Sequence, residues 1–441
     1  MTETLLDRAV RTAVALRLGA VPAETVRHAG HVIADTVGVS RGGSRQSEVE
    51  RLLAIEHAAG TVSERGRPGT ATVFGAPHLS STAERAAFLN ATAGSFLELD
   101  EGVRPTGHPG MQVVVPALAA AEATAADGTA LLTAVLAGYE VASRLFSGFR
   151  LTYPVHPHGH FGAVGGAVAV ALVTGADPLE AARIAATSPI LSIWDACYDG
   201  ATARNTWMGS AAQSAVRASA LAQAGFTGSA RAFEIAFGEI AGTLIDEDAI
   251  TAPLDYDRLG IRRNYFKLHS ACALTHAALD AVFRLAPIDI GAIDRIVVET
   301  VSNNMKLDRQ AAPNALSARF SLPYAVAAGA VLGRIDPDSF VYREDIARLA
   351  ERVEVRVAAD LEARWPESSP ARVTVESRDG TRAAEVQNPH GHHLDPVDAA
   401  ELRAKFDRLV ADPVVAESWW RGLTGLAEVK DCSQLFDGRA P

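Results

Sequence analysis

The chain has 441 residues, of which 48% are hydrophobic and 21% are charged, and its formal net charge is -11. This composition indicates a folded globular protein rather than a disordered one, and the negative charge argues against a nucleic-acid partner. The 3 cysteines are isolated along the sequence, which favours a reducing compartment without a disulfide framework. Because the chain is longer than one hydrophobic core usually serves, we expect two domains.

The sequence predicts a cytoplasmic protein without a membrane partner. Residues 1–4 do not begin a basic segment followed by an apolar run, as a signal peptide would. The most apolar stretches, such as residues 163–176, are rich in Gly and Ala and too short to span a bilayer.

Residues 1–265 predict a set of Ala-rich helices. One helix begins near Pro22, and Ser81 with Glu84 predicts a capping box at the start of another. Small residues at helical spacing predict further helices over residues 117–126, 129–146, 163–174 and 210–224. Their high content of Ala and Gly predicts helices that pack closely.

From residue 266 the pattern becomes α+β. Strands are predicted over residues 295–301, 353–357 and 372–376, and Asp379-Gly380 predicts a hairpin turn. Helical patterns cover residues 274–285, 324–332 and 397–410. We therefore predict a mainly α fold with an inserted α+β domain, in the order helical 1–265, α+β 266–396 and helical 397–441.

Acidic residues and a histidine follow one of the predicted helices. Glu98, Asp100 and Glu101 lie at the end of that helix, where its dipole disfavours negative charge, and His108 follows in a Pro-Gly loop. A solvated helix end and an active site explain this pattern equally well.

Three histidines occur within five residues, at His156, His158 and His160, just before a helix. In an extended loop they would point to one side, as ligands of a zinc ion do. Two other interpretations stay open: a polar turn, or an acid/base histidine at a helix N-terminus that also attracts an anion.

Two cations and a tyrosine are further candidate site residues because of their positions in the sequence. Arg204 precedes a predicted helix, where a carboxylate could use both its charge and the helix N-terminus, although a surface arginine is the simpler alternative. Lys267 lies among aromatic and apolar residues at the predicted domain junction, a usual place for a ligand cleft. Tyr324 begins a helix, and a core tyrosine explains it at least as well.

Several of these segments resemble motifs of the MmgE/PrpD family of dehydratases and decarboxylases, in the family's order along nearly the whole chain. They are residues 87–95 with the acids and His108-Pro109-Gly110, His156-Pro157 with Gly159 and Gly162, Gly225-Phe226-Thr227-Gly228, Lys267 with Cys272 and His276, and residues 388–392 with Pro396, Glu401 and Lys405-Phe406.

The resemblance implies a helical domain with an α+β lid, a homodimer, and an active site faced by His108, His156, Lys267 and Tyr324. It also implies a small carboxylate substrate, and it places Glu98 where the family often has Asp. We expect Glu98, Asp100, His158 and Arg204 to bind the substrate.

The predicted function is a lyase without organic cofactor or metal, because nicotinamide, flavin and phosphate-loop motifs are not evident. Histidines would move the proton, and Lys267 and Arg204 would stabilise the charge that develops beside a carboxylate. In this scheme His156 has a pKa near neutrality, and Tyr324 donates a hydrogen bond.

Four departures from the family pattern keep alternatives open. Gly102 and Arg204 stand where the decarboxylase branch has Thr and Lys, His158 replaces a Thr, and residues 268–270 lack the usual Pro. The alternatives are a family member recruited for isomerisation or cyclisation, one that only binds its ligand, or a metalloenzyme built on His156, His158 and His160.

Overall fold

The structure is a computed structural model that describes residues 3–310 and 312–437. Two large hydrophobic clusters dominate its core. The first takes residues from 6–266 and again from 402–436, and the second takes residues from 271–386 together with Trp194, Cys197 and Tyr198. The chain therefore leaves the helical unit near residue 266 and returns to it near residue 402. The predicted layout did not include the short helical segment at 194–198 in the second cluster.

The helical unit contains twelve helices and seven short strands before residue 266, among the described residues. The helices are α1 Leu5–Val14, α2 Ala23–Gly43, α3 Ser47–Ala58, α4 Ala83–Ser95, α5 Val115–Thr124, α6 Gly128–Gly148, α7 Phe161–Thr174, α8 Pro178–Thr187, α9 Asp195–Tyr198, α10 Thr206–Gln223, α11 Ala232–Glu234 and α12 Glu247–Thr251. The strands are β1 Ser63–Glu64, β2 Thr70–Thr72, β3 Leu79–Thr82, β4 Gly102–Val103, β5 Phe149–Leu151, β6 Gly242–Leu244 and β7 Asn264–Tyr265.

Close helix packing in this unit depends on small residues, as the composition predicts. Helix α7 contacts both α6 and α10. A β-carbon at Gly138 of α6 would collide with the carbonyl oxygen of Gly165 in α7, and the reverse also holds. Helix α6 is long and apolar enough to cross a membrane, but 83% of its most apolar stretch is buried inside the fold, so core packing accounts for its composition.

The second unit is a four-stranded sheet with helices. Its strands are β8 Ile293–Thr300, β9 Val353–Val357, β10 Ala371–Ser377 and β11 Gly380–Val386, and its helices are α13 His276–Leu285, α14 Ala315–Ala318, α15 Leu322–Leu332, α16 Glu344–Ala350 and α17 Ala359–Glu362. The strand order is β11-β10-β8-β9, and only the β8–β9 pair is parallel. The predicted hairpin at Asp379-Gly380 is confirmed, with Gly380 at φ +118°.

The C-terminal helices α18 Ala399–Val410 and α19 Pro413–Thr424 pack on α2. The ring of Phe406 lies where a β-carbon at Gly38 would be, which allows α18 to approach α2 closely. Asp398 caps α18 through a capping box with Glu401. The C-terminal segment thereby completes the helical unit.

Two predicted helix starts were wrong. The cap of α4 is Thr82, whose hydroxyl accepts the N–H of Arg85, because Ser81 still belongs to β3 and donates its hydroxyl to the carbonyl of Thr61. Helix α10 begins at Thr206 rather than at residue 210, so Arg204 lies in the short 3-10 turn just before it.

Candidate active site

The acids after α4 are buried rather than solvated. Glu98, Asp100 and Glu101 are each at most 2% exposed. Glu98 has a left-handed backbone, with φ at +50°, which is uncommon for a residue with a side chain. Left-handed backbone at such a residue persists only where surrounding contacts enforce it, and it clusters at functional sites.

Two buried cations pair with these acids. Lys267 Nζ lies 3.2 Å from Glu98 Oε2 and 3.3 Å from Asp100 Oδ1, and the Arg204 guanidinium donates to Glu98. Burial acts to raise the pKa of Asp100, but Lys267 and His108 hold it well below its usual value. Lys267 and Arg204 were expected to anchor substrate. Their charges are instead neutralised by carboxylates of the protein itself.

His108 lies between this ion-pair cluster and a cavity. Its Nδ1 lies 2.9 Å from Asp100 Oδ2 and 3.0 Å from the carbonyl oxygen of Glu101. Because the Glu101 carbonyl can only accept this hydrogen bond, the neutral ring carries its proton on Nδ1 and leaves Nε2 as the basic nitrogen. An imidazole fixed in this way is poised for acid/base work.

The three clustered histidines do not point to one side. His156 and His158 contact each other with ring centroids 4.2 Å apart, while the His160 ring packs on Phe237 and its Nε2 lies 2.7 Å from the carbonyl oxygen of His156. Burial lowers the pKa of His156 well below its usual value, and Arg204 adds to this effect. The expected near-neutral pKa of His156 is therefore not supported, and the ring is neutral at pH 7.

A different trio could hold a metal ion by spacing alone. One potential ligand atom from each of Asp100, His108 and His158 lies within 4.8 Å of the others. However, Lys267 Nζ is 3.3 Å from Asp100, and Arg204 Nη2 is 3.2 Å from His158 Nδ1. Two fixed cations disfavour a divalent cation there, so the donor set fits a hydrogen-bond network better.

Gln112 ties the loop of His108 to the loop of the clustered histidines. Its Nε2 donates to the carbonyl of His108, and its Oε1 accepts the N–H of Gly159, both at 2.9 Å. A β-carbon at Gly162, near the start of α7, would collide with the Gln112 side chain. The glycine of this motif is therefore needed for close packing.

The closing motif supports the segment that carries Lys267. Gly391 has φ +98°, and a β-carbon there would collide with the carbonyl oxygen of Phe266. The Phe266 N–H donates to the carbonyl oxygen of Gly391 at 2.9 Å. Lys405 is buried as well, 2.7 Å from Asp35, and donates to the carbonyl oxygen of Leu99.

His108 lines a cavity of about 460 Å³ between the two units. Three cations also line it: Arg104, Arg150 and Lys306. The Arg104 guanidinium lies over the Tyr265 ring at 4.4 Å, and Lys306 Nζ donates to Asn303 Oδ1 at 2.9 Å. A cavity of this size lined by cations suits a small anionic ligand.

Tyr324 is not brought to this cluster. It lies in the core of the second unit, with its ring centroid 6.3 Å from that of Phe340, and burial raises its pKa. Sequence reasoning also left five residues without a role: Arg104, Gln112, Arg150, Tyr265 and Lys306. Arg104 and Tyr265 could have been noticed because they lie within four residues of His108 and Lys267, whereas nothing in the sequence signalled Lys306.

Comparisons with known proteins identify the family of this chain. Residues 8–250 match the MmgE/PrpD N-terminal domain, and residues 269–421 match the MmgE/PrpD C-terminal domain. The chain is 26% identical to the cis-aconitate decarboxylase of Mus musculus over 400 residues, which are 83% of this chain and 80% of that protein. It is 24% identical to the cis-aconitate decarboxylase of Homo sapiens over 458 aligned positions, covering 95% of this chain and 91% of the relative. The chain therefore belongs to the MmgE/PrpD family and has its two-domain architecture.

Proposed function

We propose that this protein is a lyase, either a dehydratase or a decarboxylase, that acts on a small carboxylate bound in the cavity between the two units. The observation that carries the proposal is His108: an imidazole oriented by Asp100 that lines a cavity containing cations. The relatedness to two decarboxylases supports the same reaction class.

The cations that line the cavity offset the repulsion between this protein and an anionic substrate. The chain carries a net charge of -11, which repels an anionic substrate at long range. Arg104, Arg150 and Lys306 provide local positive charge in the cavity. They take the anchoring role that the sequence assigned to Arg204 and Lys267.

His108 Nε2 would move the proton. In a dehydration it removes the proton from the carbon beside a carboxylate, the electron pair forms the double bond as hydroxide leaves the next carbon, and the protonated His108 returns the proton to that hydroxide to give water. In a decarboxylation the C–C bond breaks to release CO2, and the protonated His108 delivers its proton to the carbon that keeps the electron pair. Cations near the carboxylate stabilise the charge that develops in both cases.

The buried ion pairs have a supporting role in this scheme. Lys267 and Arg204 keep Glu98 and Asp100 ionised, and Asp100 keeps the His108 ring oriented. His156 and His158 act as neutral rings beside it. Tyr324 has no role in the proposed mechanism.

Product analysis tests this proposal. Citrate, 2-methylcitrate and cis-aconitate are incubated separately with the purified protein in deuterated water and followed by proton NMR. We expect at least one of these acids to lose water or CO2. Deuterium should appear at the carbon beside a carboxylate, and EDTA should not change the turnover. Rearrangement without loss of either would support the isomerase alternative, and loss of activity on chelation would support a metalloenzyme.

The cytoplasmic location and the homodimer stay predictions, as does the action of the α+β unit as a lid.

A further inference from the structure

A second cavity also lies between the two units, and it shares no lining residue with the cavity beside His108. Its volume is about 850 Å³, which is within the usual range for ligand pockets in proteins. The helical unit contributes residues at the end of α2, after α4 and in α18, and the second unit contributes residues 333–338 after α15. A ligand held there would contact both units.

Part of the wall of this second cavity is apolar. It is formed by Leu97, Leu99, Leu268, Phe283, Ile335 and Leu409. Leu268 and Phe283 are half-buried rather than fully buried, so they offer apolar surface to a ligand. Covering such surface with a hydrocarbon group removes it from water, which is favourable.

Two arginines line the same cavity. Arg45 follows α2, Arg408 lies in the last turn of α18, and both residues are exposed. Arg45 Nη1 donates to the carbonyl oxygen of Leu409 at 2.8 Å, which brings Arg45 to the backbone beside Arg408. Neither guanidinium forms an ion pair within the part of the chain that the structure describes.

The other charged residues at this cavity have partners of opposite charge. Two of them belong to the ion pairs Lys405–Asp35 and Arg334–Asp336. Burial lowers the pKa of Arg319 to about 10, and the negative charge of Asp338, which lines the cavity, acts against that shift. The charges of Arg45 and Arg408 are therefore the ones available to an anion.

We propose that the second cavity binds a small amphipathic anion, a carboxylate with a hydrocarbon chain, of which a medium-chain fatty acid is the simplest example. The carboxylate pairs with Arg45 and Arg408, because a guanidinium presents a planar fork of donors to its two oxygens. The chain covers Leu268 and Phe283. This site is separate from the proposed active site and does not depend on the proposed reaction.

The bound anion would also contact segments that carry the buried ion pairs. Leu97 and Leu99 flank Glu98, and Leu268 follows Lys267. Lys267 and Glu98 pair across the two units, so a ligand that bridges the units beside them should resist their separation. Binding should accordingly raise the temperature of thermal unfolding.

Calorimetric titration with octanoate tests this inference without requiring turnover. Butyrate has the same head group on a shorter chain, and 1-octanol has the same chain length without a charge. Wild type should bind octanoate at least about tenfold more tightly than butyrate, because additional methylene groups are covered. It should also bind octanoate more tightly than 1-octanol, which cannot pair with two arginines.

A pair of double variants locates the site. Arg45→Gln with Arg408→Gln should weaken octanoate binding about tenfold or more, while 1-octanol affinity stays within about twofold. Arg150→Gln with Arg348→Gln is the matched control, since it removes the same charge from two exposed arginines outside the second cavity, and Arg150 lines the cavity beside His108. This control should bind octanoate like the wild type.

A steric variant provides an independent measurement. Gln46 is half-buried and lines the second cavity, so Gln46→Trp should occupy part of its volume and weaken the binding of both octanoate and 1-octanol. Circular dichroism verifies that each variant is folded.

Three results would overturn the inference. They are no binding of octanoate to the wild type at millimolar concentration, equal octanoate affinity in wild type and in Arg45→Gln with Arg408→Gln, and loss of binding in the control, which would place the anion beside His108. Each of these results leaves the proposed lyase chemistry standing.

Discussion

The hydroxyl of Tyr265 lies where the β-carbon of a larger residue at position 102 would be. Gly102 and Tyr265 are directly opposite each other on the antiparallel strands β4 and β7. The phenol therefore fills the space that a side chain at position 102 would need. Tyr265 also lines the cavity beside His108, so the pair contributes to the wall of the proposed substrate site.

This relationship predicts strong coupling between the two positions. Gly102→Thr alone should destabilise the protein by about 1–3 kcal/mol, because the new side chain collides with the phenol. In the double variant with Tyr265→Ala the added cost of Gly102→Thr should fall but not vanish, because the new β-carbon still meets the carbonyl oxygen of Gly107. Urea unfolding of the two single variants and the double variant gives the coupling energy. Additive effects would mean that the two side chains do not compete for this space.

His108 should be essential for turnover but not for folding. His108→Gln removes the acid/base nitrogen, so kcat should fall on the order of a hundredfold or more. His78→Gln, which changes an exposed histidine, serves as the matched control. Steady-state assays on the active acid, with circular dichroism to verify folding, make the comparison. Near wild-type turnover in His108→Gln would remove this residue from the mechanism.

Lys267 should contribute to stability as well as to activity. Lys267→Met leaves Glu98 and Asp100 buried with one cation fewer, and breaking a buried ion pair costs about 3–5 kcal/mol. Adding Asp100→Asn removes the excess negative charge, so the double variant should be more stable than Lys267→Met alone. Chemical unfolding measures both. A Lys267→Met protein as stable as the wild type would contradict the ion-pair network.

The Glu101 carboxyl should make stability depend on pH. Burial raises its pKa from 4.5 to about 7, against the effect of the hydrogen bond from Tyr139. A raised folded-state pKa means that the unfolded chain releases this proton first. The stabilisation is therefore present in full below about pH 4.5 and is lost as pH rises through about 7, by an amount on the order of 3 kcal/mol.

Glu101→Gln should accordingly flatten the decline of stability between about pH 4.5 and 7. Burial also raises the pKa of Glu122 to about 7. This carboxylate accepts a hydrogen bond from Thr72 away from the cavity, so Glu122 provides the matched control. Glu122→Gln should flatten the same decline without changing turnover. Thermal unfolding across this pH range tests both variants, and an unchanged pH profile in Glu101→Gln would show that the carboxyl is ionised throughout.

The homodimer implied by the family resemblance is testable directly. Exposed apolar side chains are concentrated between Ile235 and Ile245, including Ile240 at 77% exposure, and such a surface is typical of an interaction site. Light scattering at micromolar concentration should give twice the mass of the chain. A monomeric mass would contradict the dimer and leave the active-site proposals unaffected.

Local periodicity and turn chemistry were sufficient for much of the architecture. The alternation at residues 353–357 and 372–376 and the turn at Asp379-Gly380 predicted strands that the structure contains, because these signals depend on neighbouring residues. The family motifs in the sequence also identified His108 and Lys267 as candidate site residues. The start of α4 was misjudged because an isolated Ser and Glu at capping spacing do not reveal that a strand precedes the helix.

The charges in the site were decided by the tertiary structure. The sequence located Lys267 and Arg204 but could not reveal that both pair with Glu98, which is 169 residues from Lys267. It also gave no sign that the Nε and Nη2 atoms of Arg104 have no hydrogen-bond partner among the residues that the structure describes. The state of a cation depends on which side chains the fold brings within a few ångströms of it, and that distance is set by the packing of the two units. Sequence by itself therefore determined the family, the main elements and the candidate groups, while only the fold decided which charges are neutralised inside the protein and which remain available to a ligand.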